Sequence, residues 1–116
     1  AHYHLDNLIA IVDRNGLQIS GCTEEVMSLE PLDEKWKSFG WSVVKTDGHD
    51  VAALVKALQA VPAEAGKPTL ILARTIKGRG VSFMENVPSW HHGVPTEEEF
   101  KRAMKELKAS CGGADE

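Results

Sequence analysis

Asp6-Asn7-Leu8-Ile9-Ala10-Ile11-Val12-Asp13-Arg14-Asn15-Gly16-Leu17-Gln18-Ile19-Ser20-Gly21 carries an apolar run that stops at Asp-Arg-Asn-Gly and reaches a second glycine through a short polar connection. The run from Leu8 to Val12 is too short for a membrane span and too apolar for a surface strand. It predicts a strand buried on both faces of a parallel sheet. Ligands of open α/β sheets bind beyond the carboxyl ends of such strands. Asp13, Asn15 and the carbonyls after them fall there.

Outward from this strand, apolar residues alternate between helical and extended patterns. Leu32, Trp36 and Phe39 recur at i, i+4 and i+7, the spacing of a short amphipathic helix that stops at Gly40. Trp41 to Val44 reads as a second strand. Asp50 is placed to cap a helix with Val51, Leu54, Val55 and Leu58 on its inner face, which Pro62 and Gly66 end. Thr69 to Ala73 is a third, almost wholly apolar strand. Thr96 and Glu99 form a capping box, opening a helix with Phe100, Ala103, Met104 and Leu107 on one stripe. The alternation predicts an α/β fold, a parallel sheet with right-handed crossovers whose strands lie near residues 7–13, 41–46 and 69–74.

The segment from Arg74 to Pro95 has no sustained period and is broken by Gly78, Gly80, Gly93, Pro88 and Pro95. Loops this long are uncommon inside compact domains and are usually functional or disordered. It follows the third strand directly, so it is expected to start at the sheet edge where Asn15 lies. Residues 110–116 are Gly-rich and acidic and read as a flexible tail, leaving 1–109 as the folded domain.

With 116 residues the chain is sized for one small domain. Its 42% hydrophobic and 26% charged residues are ordinary for a soluble globular protein. A net charge of −4, with no basic block, argues against nucleic acid. No apolar stretch approaches the roughly 20 residues of a membrane helix, and no signal-peptide pattern is seen, so a cytoplasmic protein is expected. Cys22 and Cys111 fit no metal-ligand spacing and read as free thiols in a reducing compartment.

Several short segments could carry chemistry. Asn15-Gly16 alone marks a turn in chains of every kind. Lys77-Gly78-Arg79-Gly80 is either a solvated basic loop or a phosphate cradle in which backbone N–H groups and two cations converge. Adjacent His91 and His92, if extended, point to opposite sides, one toward a site and one toward solvent. His49 reads as a turn residue beside the Asp50 cap. His2 and His4 are expected on a helix entering the first strand and receive no role.

The order and wording of these segments resemble the thiamine-diphosphate-binding domain of transketolases. The resemblance runs through Asp13-Arg14-Asn15-Gly16, Phe39-Gly40-Trp41, Asp47-Gly48-His49-Asp50, Lys67-Pro68-Thr69, Thr75-Ile76-Lys77-Gly78-Arg79-Gly80-Val81-Ser82-Phe83-Met84-Glu85-Asn86 and Trp90-His91-His92-Gly93-Val94-Pro95. It corresponds to the carboxyl-terminal half of that domain and is most similar to the split bacterial or archaeal type encoded as two subunits. The resemblance implies transfer of a two-carbon ketol unit between sugar phosphates, in the pentose phosphate pathway, with thiamine diphosphate and Mg²⁺ as cofactors. Asn15 Oδ1 and the Leu17 carbonyl would be metal ligands, and Ile19 would pack near the thiazolium ring. Lys77 would reach the diphosphate. His92 would lie near diphosphate and substrate, able to donate to developing negative charge.

The family's third metal ligand, the Asp of a Gly-Asp-Gly motif, does not occur here. A companion chain or domain carrying that motif and the pyrimidine-binding domain is therefore expected, in an oligomer. The isolated chain is expected to be inactive. Another thiamine-diphosphate enzyme, such as a deoxyxylulose-phosphate synthase, and a non-catalytic fragment that folds only within a larger assembly are the alternatives. The Lys-Gly-Arg-Gly and Trp-His-His-Gly segments favour transketolase over other enzymes of the group.

Overall fold

A computed structural model describes residues 1–110. In chain order the elements are β1 (Ile9–Arg14), β2 (Leu17–Gln18), β3 (Gly21–Cys22), α1 (Thr23–Val26), α2 (Leu32–Ser38), β4 (Ser42–Asp47), α3 (Val51–Gln59), β5 (Thr69–Arg74), a 3₁₀ turn (Pro88–His91) and α4 (Glu97–Ser110). They divide into two compact units, the first made of Ala1–Asn15 and Met27–Thr75, the second of Gly16–Val26 and the chain from Ile76 onward. Of the expected tail 110–116, Ser110 is the last residue of α4 and the rest, from Cys111, lies outside the described residues.

The first unit is a parallel three-stranded sheet in the order β1-β5-β4. Arg14 on β1 and Asp47 on β4 both stand opposite Arg74, so all three strands end at one edge. β5 lies in the middle, and its apolar run is buried on both faces. Leu70 and Ile71, whose side chains point to opposite faces, have no exposed surface. Burying two such side chains is worth roughly 1.5–3 kcal/mol each, which makes β5 the anchor of this core. The strands sit one to three residues further along the chain than the apolar runs suggest at several ends, because pairing continues through Asp13, Arg14, Asp47 and Arg74.

β1 corrects the expectation of burial on both faces. It pairs only with β5, and its residues alternate, with Ile9, Ile11 and Asp13 open and Ala10, Val12 and Arg14 half-buried. Ile11 is 57% exposed, since no described element covers that face. The residues before β1 form turns rather than a helix, and His4 Nδ1 lies 3.2 Å from the Gly66 carbonyl.

Both helices of this unit pack against β4. In α2, Leu32 and Trp36 are half-buried, and Trp36 meets Trp41 edge to face at 5.0 Å. Phe39, expected on the same stripe, instead stands past the helix end and is exposed. Asp33 of α2 accepts from Lys45 Nζ at 2.8 Å and Lys37 Nζ at 3.2 Å. The Lys45 contact foremost, then that of Lys37, holds its carboxyl at about 2. Asp50 caps α3 as expected, accepting from the Ala53 N–H at 3.0 Å. The inner face of α3 is smaller than expected. Ala57 is buried and Ala53 and Leu54 are half-buried, whereas Val51, Val55 and Leu58 are exposed.

The second unit contains the β2–β3 hairpin, a feature too short to leave a sequence period. Leu17 pairs with Cys22 and Gln18 with Gly21. The buried Thr23 closes its base, donating from N–H and hydroxyl to the Gly16 carbonyl at 2.9 and 3.3 Å. Cys22 is a free, exposed thiol. α4 opens with the expected capping box. The Thr96 N–H donates to Glu99 Oε2 at 2.8 Å, and the Glu99 N–H returns to Thr96 Oγ1 at 3.3 Å. Along its stripe only Ala103 is fully buried, with Phe100, Met104 and Leu107 partly open.

Candidate functional site

Parallel pairing decides where Asn15 goes. Because β1 and β5 run in one direction and in register to Arg14 and Arg74, Asn15 and Thr75 leave the sheet side by side at its carboxyl edge. The Thr75 N–H donates to the Arg14 carbonyl at 3.3 Å, extending the ladder one step. The Gly48 N–H donates to the Arg74 carbonyl at 2.8 Å, bringing the end of β4 to the same edge. The long loop after β5 thus starts where the sequence places it. Asn15 is half-buried, and Gly16 after it turns through a left-handed φ of 79°. That conformation costs glycine nothing, and it redirects the chain at the strand end.

An Asn side-chain oxygen and a backbone carbonyl are each hard, neutral oxygen donors of the kind Mg²⁺ accepts. At the same edge the Thr75 hydroxyl donates to Oδ1 of Asp13, the carboxylate nearest in sequence. Arg14 is likewise engaged, its Nε and Nη2 donating to Glu30 Oε1 at 3.1 and 3.0 Å. Among the described residues no group of three His, Cys, Asp or Glu could hold a metal ion. Ile19 lies at the tip of the β2–β3 hairpin, 60% exposed and at a φ of 38°. A β-branched residue is rarely found there.

Lys77 begins a closed loop in the second unit. Its carbonyl accepts from the Asn86 N–H at 3.0 Å, pinning the loop's two ends together. Gly78 follows at a φ of 74° and lies so close to Met84 that an added Cβ would stand 2.6 Å from the Met84 carbonyl oxygen. Only glycine satisfies both constraints. Within the loop, the Val81 N–H donates to Gly78 O at 3.1 Å and the Gly80 N–H to Glu85 Oε1 at 3.0 Å. The Lys77 side chain is half-buried and Arg79 is exposed. His92 follows the 3₁₀ turn. Its ring meets that of His91 edge to face at 4.4 Å and both residues are exposed, on a backbone that is not the extended one assumed for them.

Sequence patterns gave no hint of what fixes this loop. Glu106 of α4 accepts from the Ser82 N–H at 2.6 Å and the Ser82 hydroxyl at 2.8 Å. Arg102 Nε donates to Glu106 Oε1 at 2.9 Å. The Ser82 N–H first, then its hydroxyl and Arg102, hold the Glu106 carboxyl below its usual range. A separation of 24 residues between Ser82 and Glu106 leaves no local pattern to read.

The family model described as "Transketolase, thiamine diphosphate binding domain" matches residues 1–112. The chain is 48% identical over 105 residues to an apulose-4-phosphate transketolase subunit of Phocaeicola vulgatus, a match covering 90% of this chain and 37% of that protein. It is 46% identical over 104 residues to a 6-deoxy-6-sulfo-D-fructose transketolase subunit of a Clostridium species, covering 90% and 38%. Among solved structures, the transketolase of Campylobacter jejuni superposes with a TM-score of 0.79 at 30% identity, over 92% of this chain and 17% of that one. The chain thus spans less than two-fifths of the length of these curated relatives. With the family model matched from end to end of the described fold, the chain belongs to the transketolase thiamine-diphosphate-binding domain family.

Proposed function

We propose that this chain is part of a transketolase that transfers a two-carbon ketol unit between sugar phosphates, and that it contributes a share of the diphosphate and Mg²⁺ shell. The observation that carries the proposal is the position of Asn15. A family-matching Asn-Gly leaves the carboxyl end of a parallel strand, beside the start of the long loop that carries Lys77 and His92. Thiamine diphosphate supplies, when bound, the electron sink that ketol transfer requires. Asn15 Oδ1 and the Leu17 carbonyl serve as neutral ligands to the metal, and Ile19 packs at the thiazolium end. Lys77 neutralises diphosphate charge. His92 donates a hydrogen bond to phosphate or to charge developing on the substrate. The charged metal ligand comes from a companion chain or domain bearing Gly-Asp-Gly, a reading supported by relatives that are themselves named as transketolase subunits. The assembly is cytoplasmic and oligomeric.

Titration calorimetry with thiamine diphosphate and Mg²⁺, with and without the companion, tests this reading. In the complete protein, Asn15→Ala is expected to weaken cofactor binding by on the order of 1–3 kcal/mol, the cost of one lost polar ligand at a buried site. Fold stability should change much less. Equal cofactor affinity in mutant and wild type would make Asn15 a turn residue only.

A further inference from the structure

We infer that Arg102 and Glu106 of α4 are positioning residues for Lys77 and His92, acting through Ser82 and Phe83. The inference rests on the assignment of Lys77 and His92 to the cofactor site proposed above. Two routes lead from the same point on α4. In the first, Glu106 accepts both donors of Ser82, at 2.6 and 2.8 Å, at the start of the turn formed by Met84 and Glu85 N–H groups on the Val81 carbonyl. That turn presents Met84 to Gly78 and Asn86 to the Lys77 carbonyl, so it sets the backbone from which the Lys77 side chain projects. Leu107, the next residue of α4, packs against Gly80 in the same loop.

In the second route, the Arg102 guanidinium lies 4.9 Å from the centre of the Phe83 ring while also donating to Ser82 Oγ at 2.9 Å. Phe83 meets Trp90 edge to face at 5.7 Å, and its carbonyl accepts from Trp90 Nε1 at 3.1 Å. Trp90 belongs to the 3₁₀ turn that ends next to His92. A charged carboxylate takes hydrogen bonds about twice as strong as a neutral acceptor does, so Glu106 fixes Ser82 more firmly than a chance surface contact would. Arg102 and Glu106 lie in none of the motif segments and touch neither Lys77 nor His92. Their role is therefore to hold the loop rather than to contact cofactor or substrate.

The test uses the complete protein with its companion present. Thiamine diphosphate affinity is measured for wild type, Lys77→Ala, Glu106→Ala and the double variant, and amide hydrogen exchange at Met84 and Asn86 is followed in the cofactor-free protein. Each single change is expected to weaken affinity about tenfold, the size of one charge-assisted hydrogen bond. The double variant should fall within about twofold of the weaker single one, because both changes remove the same contact. Exchange at Asn86 should accelerate in Glu106→Ala but not in Lys77→Ala. Glu106→Gln keeps one oxygen for the Ser82 N–H but loses the charge and the second acceptor, so it should fall between Glu106→Ala and wild type in both readouts. If Glu106→Ala does not fold, Arg102→Met at an exposed position probes the same clasp, with a several-fold loss of affinity expected. A Glu106→Ala or Arg102→Met protein that binds like wild type while Lys77→Ala binds weakly overturns the positioning role alone, as do multiplicative losses in the double variant. A Lys77→Ala protein with unchanged affinity overturns the assignment of Lys77 and this inference with it.

Discussion

Ile19 turns through a φ of 38° with 60% of its surface exposed, a conformation that brings the Cβ of a β-branched residue against its own backbone. Left-handed backbone costs a non-glycine residue roughly 1–2 kcal/mol, and glycine returns roughly 0.5–1 kcal/mol of that through its freer unfolded chain. Ile19→Gly should therefore raise stability by about 0.5–1 kcal/mol in urea unfolding. In the complete protein the same change should weaken thiamine diphosphate binding, because a side chain held in strain at a proposed thiazolium contact is lost. Strain of this kind tends to persist where function requires it. A gain in stability with unaltered affinity would leave Ile19 as a hairpin residue and nothing more. The sequence makes the identity of Ile19 visible, and the role proposed for it comes from the family resemblance alone. Its backbone angle is not visible, because it arises from the two-residue pairing of Leu17 and Gln18 with Gly21 and Cys22.

At the scale of elements, helix ends were the most legible features and faces the least. The Thr96–Glu99 box and the Asp50 cap depend on neighbours one to three residues away, so a sequence pattern contains everything that makes them. Thr96→Ala should cost about 1 kcal/mol of stability, since it removes the acceptor of the Glu99 N–H. The Thr96 N–H first, then its hydroxyl, hold the Glu99 carboxyl below its ordinary 4.5. A depressed carboxyl stabilises the fold when ionised. Its contribution is complete above the unfolded value and disappears as pH falls through the lower folded one. The stability gap between wild type and Glu99→Gln should accordingly narrow as pH drops below 4.5 in a series of thermal melts. A constant gap down to the folded value would contradict that cause. Faces are different, because burial depends on what lies opposite. The apolar run of β1 fits a strand covered on both sides, yet Ile9 and Ile11 are open among the described residues. Val51 and Val55 of α3 are open in the same way, whereas β5, flanked by two strands, matches its pattern on both faces.

For the molecule as a whole, the expected division of labour is that this chain alone does not catalyse ketol transfer and a completed assembly does. The donors proposed for a divalent cation, Asn15 Oδ1 and the Leu17 carbonyl, are both neutral. Two neutral oxygens cannot offset a divalent charge, so metal affinity in the isolated chain would rest on the diphosphate itself. In their proposed roles Lys77 and His92 stabilise phosphate or developing charge, and neither side chain is a carboxylate, so the acid expected to activate the aminopyrimidine has to come from elsewhere in the assembly. Exposed apolar side chains on β1 and α3 also suit a polypeptide that completes its fold against further chain, and they should make the isolated 116-residue protein bind a hydrophobic dye. Adding a companion with both missing elements should quench that dye signal, restore thiamine diphosphate binding and start turnover. His92→Ala in the same assembly should lower turnover by roughly 10²- to 10³-fold if His92 donates to the developing charge. Sustained ketol transfer by the 116 residues with no companion chain or domain present would show that their own side chains suffice, and would overturn this division of labour.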